Sequence, residues 1–326
     1  APAVEIGRVD ETKPLTDRKH YRLLRLLNGM RVLLVSDTRF GAAQPAPFEN
    51  EVGKQMHQPA EGASADSKAD ASIPIAAAAL CVGVGSFSDP LELPGCAHFT
   101  EHMVFMGSEA YPDENSYDAF LSQRGGYANA YTDGEETCFE LEVNASYLEG
   151  ALDRMCAFFT APLIKADAMD RELQAVESEF QQARLSDSAR LSSLMSDLIA
   201  QSAGVAHPLG KFCWGNKRSL KDTPEAQGVD VLHTLKAFHK EHYVANKMHL
   251  VIQAPYSLDA LQSMVVGRFG AVRCAEGTPS YGLSQLQEIP GATSTSALPV
   301  VRGDPAPVTS ITHESAGHPL PGRLPL

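Results

Sequence analysis

The sequence has no long apolar run, no closely spaced cysteine pair, little aromatic surface and no excess of positive charge. No stretch of the 326 residues approaches the roughly 20 consecutive apolar residues that span a bilayer, which argues against a transmembrane segment. The longest apolar stretch, Ile73 to Val84, suits a buried strand. Six cysteines (Cys81, Cys96, Cys138, Cys156, Cys213, Cys274) are scattered without a CxxC pair. They read as reduced thiols, neither a disulfide framework nor a thiolate metal site. Lys and Arg number 27 against 40 Asp and Glu, a net charge of −13, which argues against nucleic acid as a partner and for cationic ligands. The start, Ala1-Pro2-Ala3, carries neither an initiator Met nor a secretory signal, so a fragment or a processed chain is expected. The default compartment is the cytosol, with the mitochondrial matrix as the alternative.

What is present is ordinary globular composition, 44% hydrophobic and 21% charged. Residues 1–19 form a polar extension, ordered only by docking. From Tyr21 to Asp37 two apolar runs flank Asn28-Gly29, a hairpin signal. Residues 40–72 lose all periodicity. They hold five acids (Glu49, Glu51, Glu61, Asp66, Asp70) against two lysines and read as a disordered, mildly acidic insertion. Order resumes with a strand over 76–85. A helix is predicted over 97–106, capped by Gly107, and a second over 113–123. Strands are predicted at 128–132 and 137–143, joined through Asp133-Gly134. In the second, Thr137, Phe139, Leu141 and Val143 alternate with Cys138, Glu140 and Glu142. Helices are expected over 147–160, 165–200, 229–242 and 257–269, with a strand at 249–254. This mixture predicts an α+β fold: a two-layer sandwich of a mixed, mostly antiparallel sheet packed against helices. After Cys274, residues 275–326 turn rich in Pro, Gly, Ser and Thr, and an irregular tail is expected.

The strongest chemical signal is His98-Phe99-Thr100-Glu101-His102. On a helix, residues i and i+4 share a face, so both imidazoles can meet one ion. Neutral imidazoles suit zinc, and Glu101 can reach a water beside the metal without being a ligand. HxxEH is the inverted relative of the HExxH motif. Two histidines and a glutamate can also fall together by chance, so a third ligand is needed. Downstream, Glu172 and Glu179 lie seven apart and share a helix face, while Glu177 points nearly opposite. Helical geometry nominates the first two and does not choose between them; a solvated face is the commoner setting for glutamate.

The run His98 to Asn115 resembles the signature of the insulysin/nardilysin branch of the M16 metallopeptidases. So do Asp170 to Glu179, Gly210 to Lys217 and Ser257 to Leu261. The similarity extends from about Tyr21 to Phe269. It implies that residues 20–274 form a zinc-binding catalytic domain and that 275–326 belong to a truncated second domain. It implies Glu179 as third ligand, with Glu172 orienting a ligand. It further implies Glu101 as catalytic base, one Zn2+ per chain, and substrate backbone pairing with Ala128, Asn129, Ala130 and Tyr131. The activity implied is zinc-dependent endopeptidase action on peptides, at basic or dibasic sites, aided by the acids around Asp133 to Glu142. A second M16-type half or subunit is the implied partner. The alternative is a zinc-binding, catalytically incompetent module that binds peptides or regulates. Thr100 and Cys96 depart from the branch's usual apolar residues; a buried thiol at Cys96 is expected.

Other features are weaker. Gly83-Val84-Gly85 lacks the third glycine of a dinucleotide loop and reads as a turn. His313, Glu314 and His318 are one residue too widely spaced for a helical zinc pair. His207, His233, His239, His242 and His249 share no ligand spacing.

Overall fold

In the computed structural model, residues 3–7, 9–37, 39, 74–202 and 207–275 are described, all within one unit, Ala1–Glu288. The insertion over 40–72 and the tail beyond Ala275, with His313 and His318, lie outside them.

Seven strands form one sheet: β1 (Ala3–Gly7), β2 (His20–Leu26), β3 (Arg31–Ser36), β4 (Ile75–Val82), β5 (Tyr127–Thr132), β6 (Thr137–Asn144) and β7 (Met248–Ala254). Their order is β1-β2-β3-β7-β4-β6-β5. Only β3 and β7 run parallel among the described strands; the other pairs are antiparallel. This is the mixed, mostly antiparallel sheet expected. The hairpin turns at Asn28-Gly29, where Gly29 takes φ +90°, a conformation that favours glycine. Part of the stretch read as an N-terminal extension is a strand of the sheet: β1 pairs antiparallel with β2.

Strand alternation sets a buried face and an open face. Met248, Leu250, Ile252 and Ala254 of β7 are buried, whereas His249, Val251 and Gln253 are exposed. Helices cover the buried face: α1 (Cys96–Val104), α3 (Leu148–Thr160) and α8 (Leu258–Phe269) pack on the strands, with α7 (Val231–His242) and α4 (Ala166–Ala183) against α1. Between the layers Phe99 and Met103 of α1 join Phe139, Phe159 and Leu250 in the core. Each such buried side chain stabilises by about 1.5–3 kcal/mol, which fixes how α1 sits on the sheet.

Two expectations are corrected. The helix read over 165–200 is broken into α4 and α5 (Asp187–Ser202), because Ser186 accepts the Ala189 N–H and starts a new helix. The cysteines are not all reduced: Cys81 on β4 and Cys138 on β6 form a disulfide. The register sets them directly opposite, with Cα atoms 4.1 Å apart, a juxtaposition that scattered sequence positions do not reveal. The short α2 (Ser116–Ser122) and α6 (Thr223–Ala226) complete the α-helices among the described residues. None of the described helices is long and apolar enough to cross a membrane.

Candidate metal centre

The site is assembled along α1, whose start is fixed from outside. Its first backbone N–H groups have no partner within the helix. The Asp89 carboxylate supplies one, accepting from Gly95 N–H at 2.7 Å and Ala97 N–H at 2.8 Å. Burial pushes the pKa of Asp89 up to about 6, against the pull of these two bonds. Gly95 enters the helix at φ +92°, and a Cβ there would overlap the backbone of Gly215. So anchored, α1 presents His98 and His102 one turn apart, with ring centroids separated by 5.0 Å.

Crossing α1, α4 brings up two carboxylates on one face. Glu179 lies between the rings, with Oε2 at 3.2 Å from His98 Nε2 and Oε1 at 3.6 Å from His102 Nε2. Glu172 sits on the other side of His102, 3.1 Å from its Nδ1. The crossing of two helices thus puts the two carboxylates, which helical spacing does not separate, at different places around the rings. His98 Nδ1 meets an acceptor the sequence reading missed, the backbone carbonyl of Trp214 at 2.6 Å. A main-chain oxygen carries no sequence signal. With both Nδ1 atoms donating, each Nε2 is turned toward Glu179. The ligand atoms of His98, His102 and Glu179 lie within 4.8 Å of one another, so the three could hold a metal ion. Two neutral imidazoles and a carboxylate, with a cleft on the remaining side, match a zinc donor set.

Electrostatics agree with that arrangement. Burial alone would lower the pKa of His102, but hydrogen bonds to Glu172 and Glu179 raise it to about 9. His98 is likewise depressed by burial and raised overall by Glu179 and the Trp214 carbonyl. Hydrogen bonds from His102 and His98 hold Glu179 far below the usual carboxylate range. Protons thus fill the place between these groups that a cation would take.

Glu101 is buried beside the rings and is not among the three grouped donors. Its Oε2 accepts a 2.5 Å hydrogen bond from the Thr132 hydroxyl on β5. Burial raises the pKa of Glu101, opposed by Thr132 and the two histidines. Cys96 is fully buried and burial pushes its thiol up, so it stays protonated. Glu177 points away from the metal group and accepts the Lys217 N–H at 2.7 Å.

A cleft of about 790 Å³ opens over the site. Ala130 and Tyr131 line it, with Asp133 and one face of α5; Ala128 and Asn129 lie further along β5, which is an outer edge of the sheet. Glu140 and Glu142 border a separate groove of about 150 Å³ on the open sheet face. Gly85 sits in a turn packed on the backbone around Asp133 and Gly134. His239 is buried and bonded to the Phe158 carbonyl, away from the site.

Comparison with known proteins meets this geometry. Residues 65–211 match the insulinase family model, peptidase family M16. The chain belongs to the M16 peptidases. It is similar to nardilysin of Rattus norvegicus, at 48% identity over 212 residues, covering 65% of this chain and 18% of that protein. Insulin-degrading enzyme-like 1, peroxisomal, of Arabidopsis thaliana is 40% identical over 268 residues, covering 82% of this chain and 24% of that one. The crystal structure of pitrilysin superposes with a TM-score of 0.67 at 34% identity, over 82% of this chain and 24% of that chain. The chain thus spans about a quarter or less of the length of these relatives.

Proposed function

We propose that this chain is the zinc-binding catalytic domain of a metalloendopeptidase that hydrolyses peptides through its HxxEH motif. The reading is carried by one observation: His98, His102 and Glu179 converge on a cleft whose wall holds a buried Glu101 tied to Thr132. The two Nε2 atoms and the Glu179 carboxylate would hold one zinc per chain, with Glu172 and the Trp214 carbonyl orienting the rings. When bound, zinc lowers the pKa of water towards neutrality and polarises a substrate carbonyl.

The residues of this chain do the rest. Thr132 occupies Glu101 Oε2, so Oε1 is the oxygen that takes the proton of the attacking water and returns it to the leaving amine. Its raised pKa suits a group that must hold that proton between the two transfers. The free edge of β5, from Ala128 to Tyr131, offers backbone partners to an extended peptide. Asp133 in the cleft, with Glu136 bonded to the cleft residue Tyr131, favours substrates with basic or dibasic sites. A second M16-type half or subunit would close the cleft in trans or in a longer chain. The residues from 20 to 274 are the domain this reading assigns to catalysis.

The deciding experiment is Glu101→Gln in the zinc-loaded chain, assayed on a peptide with a dibasic site, with and without chelator. Zinc should remain at one per chain while hydrolysis falls at least ~100-fold, the general-base contribution. A variant that cuts at the parent rate refutes the assignment. Zinc at one per parent chain with no turnover at all would instead favour a binding module.

A further inference from the structure

The Trp214 carbonyl that orients His98 belongs to a loop, and a loop carbonyl holds its place only if the loop is held. Upstream, the Lys211 ammonium donates to the carbonyls of Phe87 (2.7 Å) and Asp89 (2.9 Å). In the middle, Gly215 takes φ +72° and packs its Cα against Gly95 at the start of α1. Downstream, Glu177 Oε2 accepts the Lys217 N–H at 2.7 Å, and Gln181 donates to the other oxygen at 2.5 Å. The carboxylate is thus fixed on its own helix and used to clip the backbone three residues beyond Trp214. Glu177 lies two residues from Glu179, on nearly the opposite side of α4.

We propose that Glu177 is a positioning residue for the metal centre: by pinning Lys217 it sets the Trp214 carbonyl, and through it the ring of His98. Helix α4 then reaches both histidines by three carboxylates, Glu179 between the rings, Glu172 behind His102 and Glu177 behind His98 by way of the loop. The proposal rests on the metal reading above for its consequence, though the clip itself does not.

Trp214 is the single tryptophan of the chain, so its fluorescence reports the loop directly. The experiment compares the parent with Glu177→Ala, Glu177→Gln and, as a control on the same helix, Gln174→Ala. Three quantities are read: Trp214 emission in the metal-free chain, Lys217 amide exchange, and zinc affinity by competition with a chromophoric chelator. Glu177→Ala should shift the emission, speed the exchange and weaken zinc by about 10–100-fold, the usual effect of losing an orienting partner. Glu177→Gln keeps an acceptor oxygen and should stay within about threefold of the parent; Gln174→Ala should match it. Unchanged zinc affinity in Glu177→Ala overturns the proposal, as does equal weakening in Gln174→Ala. If the parent itself takes up no zinc, the metal reading fails separately. The clip is then decided by emission and exchange, and their constancy in Glu177→Ala overturns it.

Discussion

The Thr132 hydroxyl donates to Glu101 Oε2 at 2.5 Å, joining the last residue of the edge strand β5 to the helix that carries both histidines. Thr132 can do this because it points to the buried side of the sheet, in register with Thr137, while its neighbour Tyr131 faces out. The strand proposed to take substrate on its edge is therefore bonded, through its own side chain, to the proposed base.

From that bond follows a prediction about rate with little change in binding. Thr132→Val keeps shape and removes the donor, freeing Glu101 to rotate. Its kcat should fall on the order of 10-fold, a part of the roughly 100–10,000-fold that general-base catalysis contributes, with KM and zinc content nearly unchanged. Thr132→Ser should recover most of the loss. Steady-state kinetics on a dibasic-site peptide decides it; a Val variant with parental kcat would show that Glu101 needs no such tether.

Metal removal should expose a pH dependence of stability that bound zinc cancels. Burial lowers and the two glutamates raise the pKa of His102, to about 9 from 6.5, so the folded metal-free chain holds a proton that the unfolded chain has lost. A raised folded pKa gives stability that is fully present below pH 6.5 and is lost as pH climbs through 9. The chelated chain should thus melt at progressively lower temperature over that window. Zinc must displace protons from the same nitrogens, so its stabilising increment should grow over the same range. Thermal scans with chelator and with excess zinc measure both slopes; parallel curves would mean that zinc does not bind at these imidazoles.

How much of this was legible beforehand depends on whether the information is local. His98 and His102 were readable because i, i+4 spacing on one helix is a local fact. Glu172 and Glu179 were narrowed to a pair by the same rule, yet their different places around the rings come from where α4 crosses α1, which helical spacing does not encode. The Trp214 carbonyl was invisible because every residue has one. The Cys81–Cys138 bond has no sequence signal because the antiparallel register, rather than any spacing motif, puts those two positions opposite each other. Ser186 sits inside a continuous polar–apolar pattern that hides the break, although it is a residue type that starts helices. The strands around the site are clearer, since β6 alternates from Phe139 onward and Asp133-Gly134 marks its turn.

The contact between Gly95 and Gly215 should tolerate no side chain on either partner. Both have positive φ, +92° and +72°, and a Cβ on Gly95 would run into the Gly215 backbone. Gly95→Ala or Gly215→Ala should therefore cost about 1–3 kcal/mol from the backbone conformation alone, with overlap adding to it at Gly95. Because Gly215 follows Trp214, either change should also weaken zinc, whereas Gly125→Ala, where a Cβ meets nothing, should lower stability by its φ of +66° without touching metal affinity. Urea midpoints and chelator competition on the three variants separate the two effects. Equal zinc affinity in all three would detach the loop from the site.

The disulfide makes a prediction of its own, because it ties β4 to β6 on the open face of the sheet, one residue from the Thr137–Thr132 pair. It closes a loop with a sequence separation of 57, and cross-links of that kind typically stabilise by about 2–4 kcal/mol, mainly by restricting the unfolded chain. A dithiol reductant should accordingly lower the urea midpoint of the parent, while a Cys81→Ala/Cys138→Ala double variant should begin at the lower value and not respond. The four other cysteines among the described residues, Cys96, Cys156, Cys213 and Cys274, are free, so the double variant isolates this bond. The strands stay paired by their backbone ladder when the bond opens, so Glu101 and Thr132 should keep their contact and reduction should change stability with zinc affinity left alone. A reductant that lowered zinc affinity in the parent but not in the double variant would show instead that the bond reaches the metal centre through β6.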